Sequence, residues 1–309
     1  MDLNVFKLCS ALKVLGYLMI VLVAAIVGVS YYAVIVLVWG PKLFDGGLDS
    51  VLAFFIVIVF HILLILLTWS YIAVVFQDPG SVPENWRPDT VDANLEVGST
   101  EALTDVIVPE NSASTWVPSE GIESRPVAGY CSRCHNGKPP RCHHCSVCQR
   151  CVLKMDHHCI WVVNCIGVRN YKFFLLFLVY TFLETILDTL VLLPSFINFF
   201  EEAMDHSSSP AHLAVIFLAF VLNLAFALSL LCFLVMHASL LLSNTTSVEV
   251  YEKKGSLRWK YDLGRKRNFE QVFGSKKLLW FFPLFSKADL DRTPALLGLE
   301  FPMRSDVEA

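Results

Sequence analysis

Cysteine and histidine residues are concentrated in one short part of this 309-residue chain. Eight of the ten cysteines lie between Cys131 and Cys165, and five histidines lie among them. A Cys-x-x-Cys turn lets two thiolates reach one Zn²⁺ ion, and structural zinc takes four such ligands. Two zinc ions would use eight of these thirteen side chains, so some remain for other chemistry. The clustering favours metal or thiol chemistry in a reducing compartment over a secreted disulfide scaffold.

The run Asp156-His157-His158-Cys159 within this cluster combines the groups that acyl transfer requires. Neighbouring side chains in an extended segment point in opposite directions, so one imidazole can bind zinc while the other faces Cys159. A cysteine beside an imidazole can be a thiolate at neutral pH. Asp156 can hold the tautomer of that imidazole, as the acid of a catalytic triad does. The pattern predicts a nucleophile, a base and an orienting acid on a backbone fixed by zinc.

Two other functions would also use a zinc module. A membrane-anchored adaptor would need every cysteine and histidine as a ligand or a spectator, which leaves His157 beside a free Cys159 without a role. A zinc-dependent ubiquitin ligase would need a longer ring-type ligand series and a hydrophobic docking patch, and the sequence contains neither. The non-catalytic adaptor is therefore the alternative to an enzyme.

The composition indicates how the cluster is held. Apolar residues make up 55% of the chain and charged residues 17%, whereas soluble domains carry about 25% charged residues. The balance of 24 basic against 28 acidic residues does not indicate a nucleic-acid-binding protein. Four apolar segments each exceed the roughly 20 residues that cross a bilayer as a helix. We predict an all-α polytopic membrane protein with four transmembrane helices and a cytosolic zinc-binding cysteine-rich domain between helices 2 and 3.

The predicted organisation alternates spans with loops. Its segments are a cytosolic N-terminus (1–13), a first span (14–39), a non-cytosolic loop (40–50), a second span (51–76), a cytosolic linker (77–128), the cysteine-rich domain (129–172), a third span (173–200), a second non-cytosolic loop (201–210), a fourth span (211–242) and a cytosolic tail (243–309). Trp39 and Trp69 are expected to be interfacial anchors. Residues 84–124 hold nine acids and scattered small residues, a composition typical of a mobile linker.

Basic residues indicate the orientation of the spans. Lys7 and Lys13 precede the first span, and Arg169 and Lys172 precede the third. The two short loops on the opposite side hold only Lys42. The positive-inside rule therefore predicts that both termini and the 78–172 loop are cytosolic.

Two acids interrupt the third apolar segment. Glu184 and Asp188 are four residues apart, so a helix places them on one face. Acids within a bilayer usually face the bundle interior. We expect them either to hydrogen-bond neighbouring helices or to line an acyl cavity and limit the chain length it accepts.

These motifs together identify a resemblance to the DHHC-type protein S-acyltransferases, or palmitoyltransferases, over nearly the whole chain. The cluster is preceded by Lys138-Pro139-Pro140-Arg141 and followed by Trp161, Asn164-Cys165, Gly167 and Asn170-Tyr171. Three flanking family motifs are Asp78-Pro79-Gly80, Thr246-Ser247-Val248-Glu249 and the run Asn268-Phe269-Glu270-Gln271-Val272-Phe273-Gly274. Ser247 replaces a Thr of the family pattern, and Ile160 stands where many relatives have Pro. The detailed sequence of these motifs is most similar to that of plant members of the family.

The resemblance implies two structural zinc sites and assigns a role to each residue of the run Asp156-His157-His158-Cys159. One site would use Cys131, Cys134, His144 and Cys151, and the other Cys145, Cys148, His158 and Cys165. Cys142 would be a non-ligand. Cys159 would be the nucleophile, His157 its base and Asp156 the orienting acid. The thiolate would take an acyl chain from palmitoyl-CoA and pass it to a cytosolic cysteine of a membrane-associated protein.

The charged head group of CoA requires cationic partners beside the bilayer. The candidates are five basic residues of the domain, namely Arg133, Lys138, Arg141, Arg169 and Lys172. The acyl tail would lie among the transmembrane helices, where each buried CH₂ contributes about 0.8 kcal/mol. The family precedent implies the Golgi or another endomembrane, with the plasma membrane as a further location.

Overall fold

The computed structural model describes residues 5–87, 129–205, 209–252 and 259–304. Most of the linker predicted at 84–124 lies outside these residues. The described helices, in chain order, are α1 (Val5–Tyr31), which continues as a π-helical segment (Tyr32–Trp39), α2 (Gly40–Lys42), α3 (Gly47–Phe76), α4 (Tyr171–Asp205), α5 (Pro210–Leu242), α6 (Ser247–Glu252), α7 (Arg265–Phe273), a 3₁₀ turn (Lys277–Phe281), α8 (Lys287–Arg292) and α9 (Pro294–Leu297).

Four of the described helices are long and apolar enough to cross a membrane. They occupy Leu15–Lys42, Gly47–Phe76, Tyr171–Phe199 and Pro210–Leu242. The helix α4 packs against both α3 and α5, and it is the most buried of the four, because its neighbours cover it on two sides. The predicted fold class is confirmed: four spans, with the cysteine-rich domain between the second and the third.

The bundle packs in two apolar clusters at opposite ends. One cluster lies beside the cysteine-rich domain and joins Val162 and Ile166 to Phe174 of α4 and Phe273 of α7. The other cluster, at the far end, includes Trp39. Trp39 is only 7% exposed, and its indole nitrogen donates to the carbonyl oxygen of Val191 at 3.1 Å. The prediction that Trp39 is an interfacial anchor was wrong, because the ring satisfies its N–H within the bundle.

The cysteine-rich domain consists of three short antiparallel hairpins. Their strands are β1 (Gly129–Cys131) with β2 (Asn136–Lys138), β3 (His143–Cys145) with β4 (Arg150–Val152), and β5 (His157–Cys159) with β6 (Asn164–Ile166). Three-residue strands bury little apolar surface, so bound metal would have to supply much of the folding free energy of this domain.

The chain after α3 attaches the domain to the bundle. The N–H of Leu153 donates to the carbonyl of Gly80 at 2.9 Å, and that of Arg169 donates to the carbonyl of Pro79 at 3.1 Å. A Cβ atom on Gly167 would lie 2.6 Å from the same Pro79 oxygen, so this close approach requires glycine. The Asn164 amide also donates to the carbonyls of Val74 and Gln77 at the end of α3. The hairpins are therefore fixed directly to a membrane helix.

Candidate active site

Two groups of four side chains could each hold a metal ion. Within each group, the four candidate ligand atoms lie within 4.8 Å of one another. The groups are Cys131, Cys134, His144 and Cys151, and Cys145, Cys148, His158 and Cys165. The Sγ atoms of the first group are 3.2 to 3.9 Å from Nδ1 of His144, and those of the second are 3.4 to 3.8 Å from Nδ1 of His158. Ligands about 2.0–2.3 Å from a tetrahedral zinc lie roughly 3.5 Å apart, so both groups fit zinc.

The hairpins explain why these residues meet. His144 is paired with Cys151 across β3 and β4, and His158 with Cys165 across β5 and β6. Each pair is completed by a Cys-x-x-Cys turn from the preceding hairpin, so each ion would join two hairpins. Cys142 belongs to neither group, and its burial raises the pKa of the thiol to about 11.

Asp156 directly precedes β5, and His157 and Cys159 are the first and last residues of that strand. Nδ1 of His157 donates to Oδ2 of Asp156 at 2.7 Å, and the carboxyl group is almost fully buried. Burial alone would lower the pKa of His157, but hydrogen bonding to Asp156 and Cys159 and the charge of both groups raise it to about 9. The raised pKa favours the protonated imidazole at neutral pH, and this imidazole lies beside Cys159.

Residues far along the chain complete this arrangement. The N–H of Ser247 donates to Oδ1 of Asp156 at 3.0 Å, and its hydroxyl lies 3.2 Å from Oδ2. Burial would raise the pKa of Asp156, yet the hydrogen bonds and the charge of His157 lower it overall. On the opposite side, the ring of His237 in α5 packs 6.1 Å from the ring of His157. The altered motif at Ser247 was visible in the sequence, but its contact with Asp156 was not predicted.

An apolar cavity begins at Cys159 and continues into the bundle. It has a volume of about 490 Å³. Phe174, Phe177 and Leu178 of α4 line it near the thiol, and Phe226 and Leu230 of α5 lie across from them. The predicted acids Glu184 and Asp188 also line it, about two and three helical turns beyond Leu178. A cavity of this shape suits a hydrocarbon chain whose reactive end lies at the thiol.

Comparison with known proteins identifies the family. Residues 126–254 match the family described as DHHC palmitoyltransferase. "Probable protein S-acyltransferase 12" of Arabidopsis thaliana is 62% identical over 308 residues, which cover 99% of this chain and 100% of that protein. "Probable protein S-acyltransferase 14" of the same plant is 55% identical over 99% of this chain and 96% of that protein. The chain belongs to the DHHC palmitoyltransferase family. The resemblance to plant members is thereby confirmed.

An animal relative covers most of the DHHC chain as well. "Palmitoyltransferase ZDHHC2" of Homo sapiens is 32% identical over 283 residues, which cover 89% of this chain and 74% of that protein. The match therefore extends over membrane helices as well as the cysteine-rich domain.

Two of the five basic residues expected to bind CoA are buried in the DHHC protein. The guanidinium of Arg141 forms two hydrogen bonds with the Glu249 carboxylate, at 2.6 and 2.7 Å, and both side chains are almost fully buried. The ammonium of Lys172 donates to the carbonyl of Leu284 at 2.6 Å, and Lys172 is 1% exposed. The expectation for these two was wrong, because each cation is already satisfied inside the protein.

The other three candidates for CoA binding in the DHHC domain remain accessible. Arg133 and Arg169 are exposed, and Lys138 is half-buried. Arg169 lies 3.8 Å from the Asp78 carboxylate, a distance at which a partly exposed ion pair contributes little. These three side chains therefore remain candidates for an anionic head group.

Proposed function

We propose that the protein S-acyltransferase activity of this chain proceeds through a thioester on Cys159. The observation that carries this proposal is the position of Cys159: it lines the 490 Å³ apolar cavity and lies beside His157. Acyl-CoA would enter with its tail in the cavity and its thioester at the thiolate. The acyl acceptor would be a cysteine of a membrane-associated protein.

Two transfers account for every proton. In the first, the Cys159 thiolate attacks the thioester carbonyl carbon of acyl-CoA, and the bond from that carbon to the CoA sulfur breaks. The His157 imidazolium gives its proton to the departing CoA thiolate. In the second, the substrate cysteine gives its proton to neutral His157 and attacks the acyl-enzyme carbonyl, which releases Cys159 as a thiolate. Asp156 keeps the imidazole in one orientation throughout.

Zinc would act on the backbone of this site and not on the acyl group. The ligands His158 and Cys165 face each other across the hairpin that carries His157 and Cys159. An ion held by them would fix the positions of the nucleophile and its base. Two zinc ions per chain are therefore part of the proposal, and palmitoyl-CoA is the proposed acyl donor.

The proposed orientation places both termini and the reaction in the cytosol. Basic residues flank the ends of the spans that lie on the side of the cysteine-rich domain, and this supports the orientation. Asn244 begins an Asn-Thr-Thr glycosylation acceptor sequence. The residue is 3% exposed and its amide nitrogen donates to the carbonyl of Tyr261 and to the side chain of Gln271, so it is not accessible to glycosylation in the folded protein. We place the protein in the Golgi or another endomembrane, with the plasma membrane as the second candidate.

Intact-mass analysis tests the proposal. Detergent-purified protein is incubated with palmitoyl-CoA, with wild type beside Cys159→Ser. We expect the wild type alone to gain one palmitoyl group, and hydroxylamine to remove it. If neither protein gains mass while two zinc ions stay bound per chain, the thioester mechanism is overturned and a zinc-module adaptor becomes the better description.

A further inference from the structure

The far end of the acyl cavity is polar, although most of its wall is apolar. Glu184 and Asp188 of α4 line it there, and they are 6% and 0% exposed. None of their four carboxyl oxygens has a hydrogen-bond partner among the residues that the structure describes. A buried carboxyl group without a partner is costly, and it therefore indicates a missing ligand or solvent group.

The other polar groups at this end do not satisfy the two acids. The amide of Asn223 donates to Ser30 at 2.8 Å and to the carbonyl of Ala219 at 2.9 Å. The hydroxyl of Thr185 donates to the carbonyl of Phe182 on its own helix at 3.0 Å. In the part of the chain that is described, no lysine or arginine lines this cavity. The carboxyl oxygens therefore remain available as acceptors that face the cavity.

The distance from the thiol matches the length of a membrane acyl chain. Phe174 packs against His157 with ring centroids 5.3 Å apart, which places this residue at the level of the reacting groups. Glu184 and Asp188 follow ten and fourteen residues later in the same helix, hence about 15 and 21 Å further along it. One leaflet of hydrocarbon is about 15 Å thick. The end of a chain of that length reaches the level of Glu184, and Asp188 lies one further turn along the same helix.

We propose that this site takes hydroxyacyl chains, with the hydroxyl near the end remote from the thioester. This inference rests on the proposed thioester mechanism and names a further class of donor for it. The chain hydroxyl would donate a hydrogen bond to the carboxyl group of Glu184 or Asp188. The transfer itself is unchanged: the Cys159 sulfur bonds to the acyl carbon, and CoA leaves with the proton from His157. The product is a protein cysteine that carries a hydroxylated acyl chain.

An unsubstituted chain cannot make this contact. Its terminal methyl group would lie against carboxyl oxygens and leave all four unpaired, whereas one hydroxyl supplies a donor at the required depth. Sites with buried groups that hydrogen-bond a substrate hydroxyl favour that substrate over the analogue that lacks it. We therefore expect the hydroxylated chain to load in preference to palmitoyl, which remains a substrate. Glu184 and Asp188 are therefore specificity-determining residues for the polarity of the chain end.

The test is a competition between two donors. Purified protein receives equal concentrations of ω-hydroxypalmitoyl-CoA and palmitoyl-CoA, and intact mass separates the two acyl-enzymes, which differ by one oxygen atom. We expect the ratio of hydroxylated to plain acyl-enzyme to fall about tenfold or more from wild type to Glu184→Leu/Asp188→Leu, the loss expected for one buried hydrogen bond. Glu184→Gln/Asp188→Asn retains acceptor oxygens and should keep most of the ratio.

Controls separate this inference from the mechanism on which it rests. Thr189→Val removes a hydroxyl from the same helix outside the cavity lining, and its ratio should equal that of wild type. If wild type and the Leu variant load both donors in the same ratio, the hydroxyacyl proposal is wrong although the mechanism stands. The hydroxyacyl proposal would also be wrong if the double Leu substitution changed only the preference for palmitoyl-CoA over shorter unsubstituted acyl-CoA donors. The two acids would then select chain length alone. Loss of all loading in wild type would instead overturn the mechanism.

Discussion

Ser247 holds the carboxyl group of Asp156 although 91 residues separate them in the chain. Its backbone N–H donates to one carboxylate oxygen at 3.0 Å, and its hydroxyl lies 3.2 Å from the other. The second of these oxygens also accepts the hydrogen bond from Nδ1 of His157. The start of α6 therefore orients the acid that orients the base, and it couples the end of the fourth span to the reacting groups.

Removal of the Ser247 hydroxyl should slow acyl loading. Ser247→Ala keeps the hydrogen bond from the backbone N–H to the carboxylate but loses the hydroxyl. The hydroxyl donates to the backbone carbonyl of Asp156 at 2.5 Å and lies 3.2 Å from Oδ2. One such hydrogen bond contributes about 1 kcal/mol. We expect the rate of Cys159 palmitoylation to fall roughly fivefold. Single-turnover loading, followed by intact mass, measures this rate. Ser247→Thr keeps the hydroxyl and restores the residue of the family pattern, so it should load as wild type does; equal rates for Ala and Thr variants would contradict the role.

Loss of the Glu249 carboxylate should destabilise the protein. Arg141 and Glu249 are fully desolvated, so Glu249→Ala leaves a buried guanidinium without its counter-ion, at a cost of about 3–5 kcal/mol. The variant should unfold at a much lower temperature than wild type in the same detergent. Glu300→Ala, which removes an exposed carboxylate, is the matched control and should leave the unfolding temperature unchanged.

The same ion pair predicts a pH dependence of stability. Burial alone would raise the pKa of Glu249, but Arg141 and the N–H of Thr246 lower it below its ordinary value of 4.5. A carboxyl group whose pKa is lowered in the folded state makes its full contribution to folding stability at pH values above its unfolded pKa. This contribution to stability is lost as the pH falls through the folded pKa. The stability difference between wild type and Glu249→Gln should therefore be constant above pH 4.5 and narrow only below it. A difference that narrows between pH 8 and pH 5 would contradict the assignment.

The sequence predicted what local spacing and hydrophobicity determine. The four spans follow from apolar segments that are long enough to cross a bilayer as helices. The predicted fold class is confirmed. The eight residues that the structure brings together in two groups are those that the family resemblance implied. The candidate zinc ligands of one hairpin lie close together in the chain, so their spacing in the sequence largely determines which of them can meet at one ion.

Long-range partners were not predictable from the sequence. Arg141 was expected to meet CoA, but its partner Glu249 lies 108 residues away. Trp39 was expected at the membrane interface, but it donates to Val191 on another helix, 152 residues away. In both cases the side chain type fits an exposed role as well as a buried one, and only the tertiary contact decides between them.

Loss of one zinc ligand should unfold the cysteine-rich domain. Cys148→Ser removes a thiolate from the group that includes His158, and binding of a structural zinc ion contributes on the order of 10 kcal/mol. The variant should retain at most one zinc ion per chain by elemental analysis and should not load Cys159. Cys142→Ser changes a buried thiol outside both groups. It should keep two zinc ions, and equal zinc loss in both variants would argue against the ligand assignment.

Neutralisation of the accessible cations should weaken acyl-CoA binding without affecting the acyl tail. Arg133, Lys138 and Arg169 are the three candidates for CoA binding that are not buried, so they can meet the CoA phosphates. Changing all three to Gln should raise the KM for palmitoyl-CoA by about tenfold or more, since each lost charge-assisted contact costs roughly 0.5–1 kcal/mol at an exposed site. The palmitoyl thioester of N-acetylcysteamine carries the same tail but no phosphate, and its KM should not change. If the KM rises equally for both donors, the substitutions have disturbed the active site and the three cations do not bind the CoA head group.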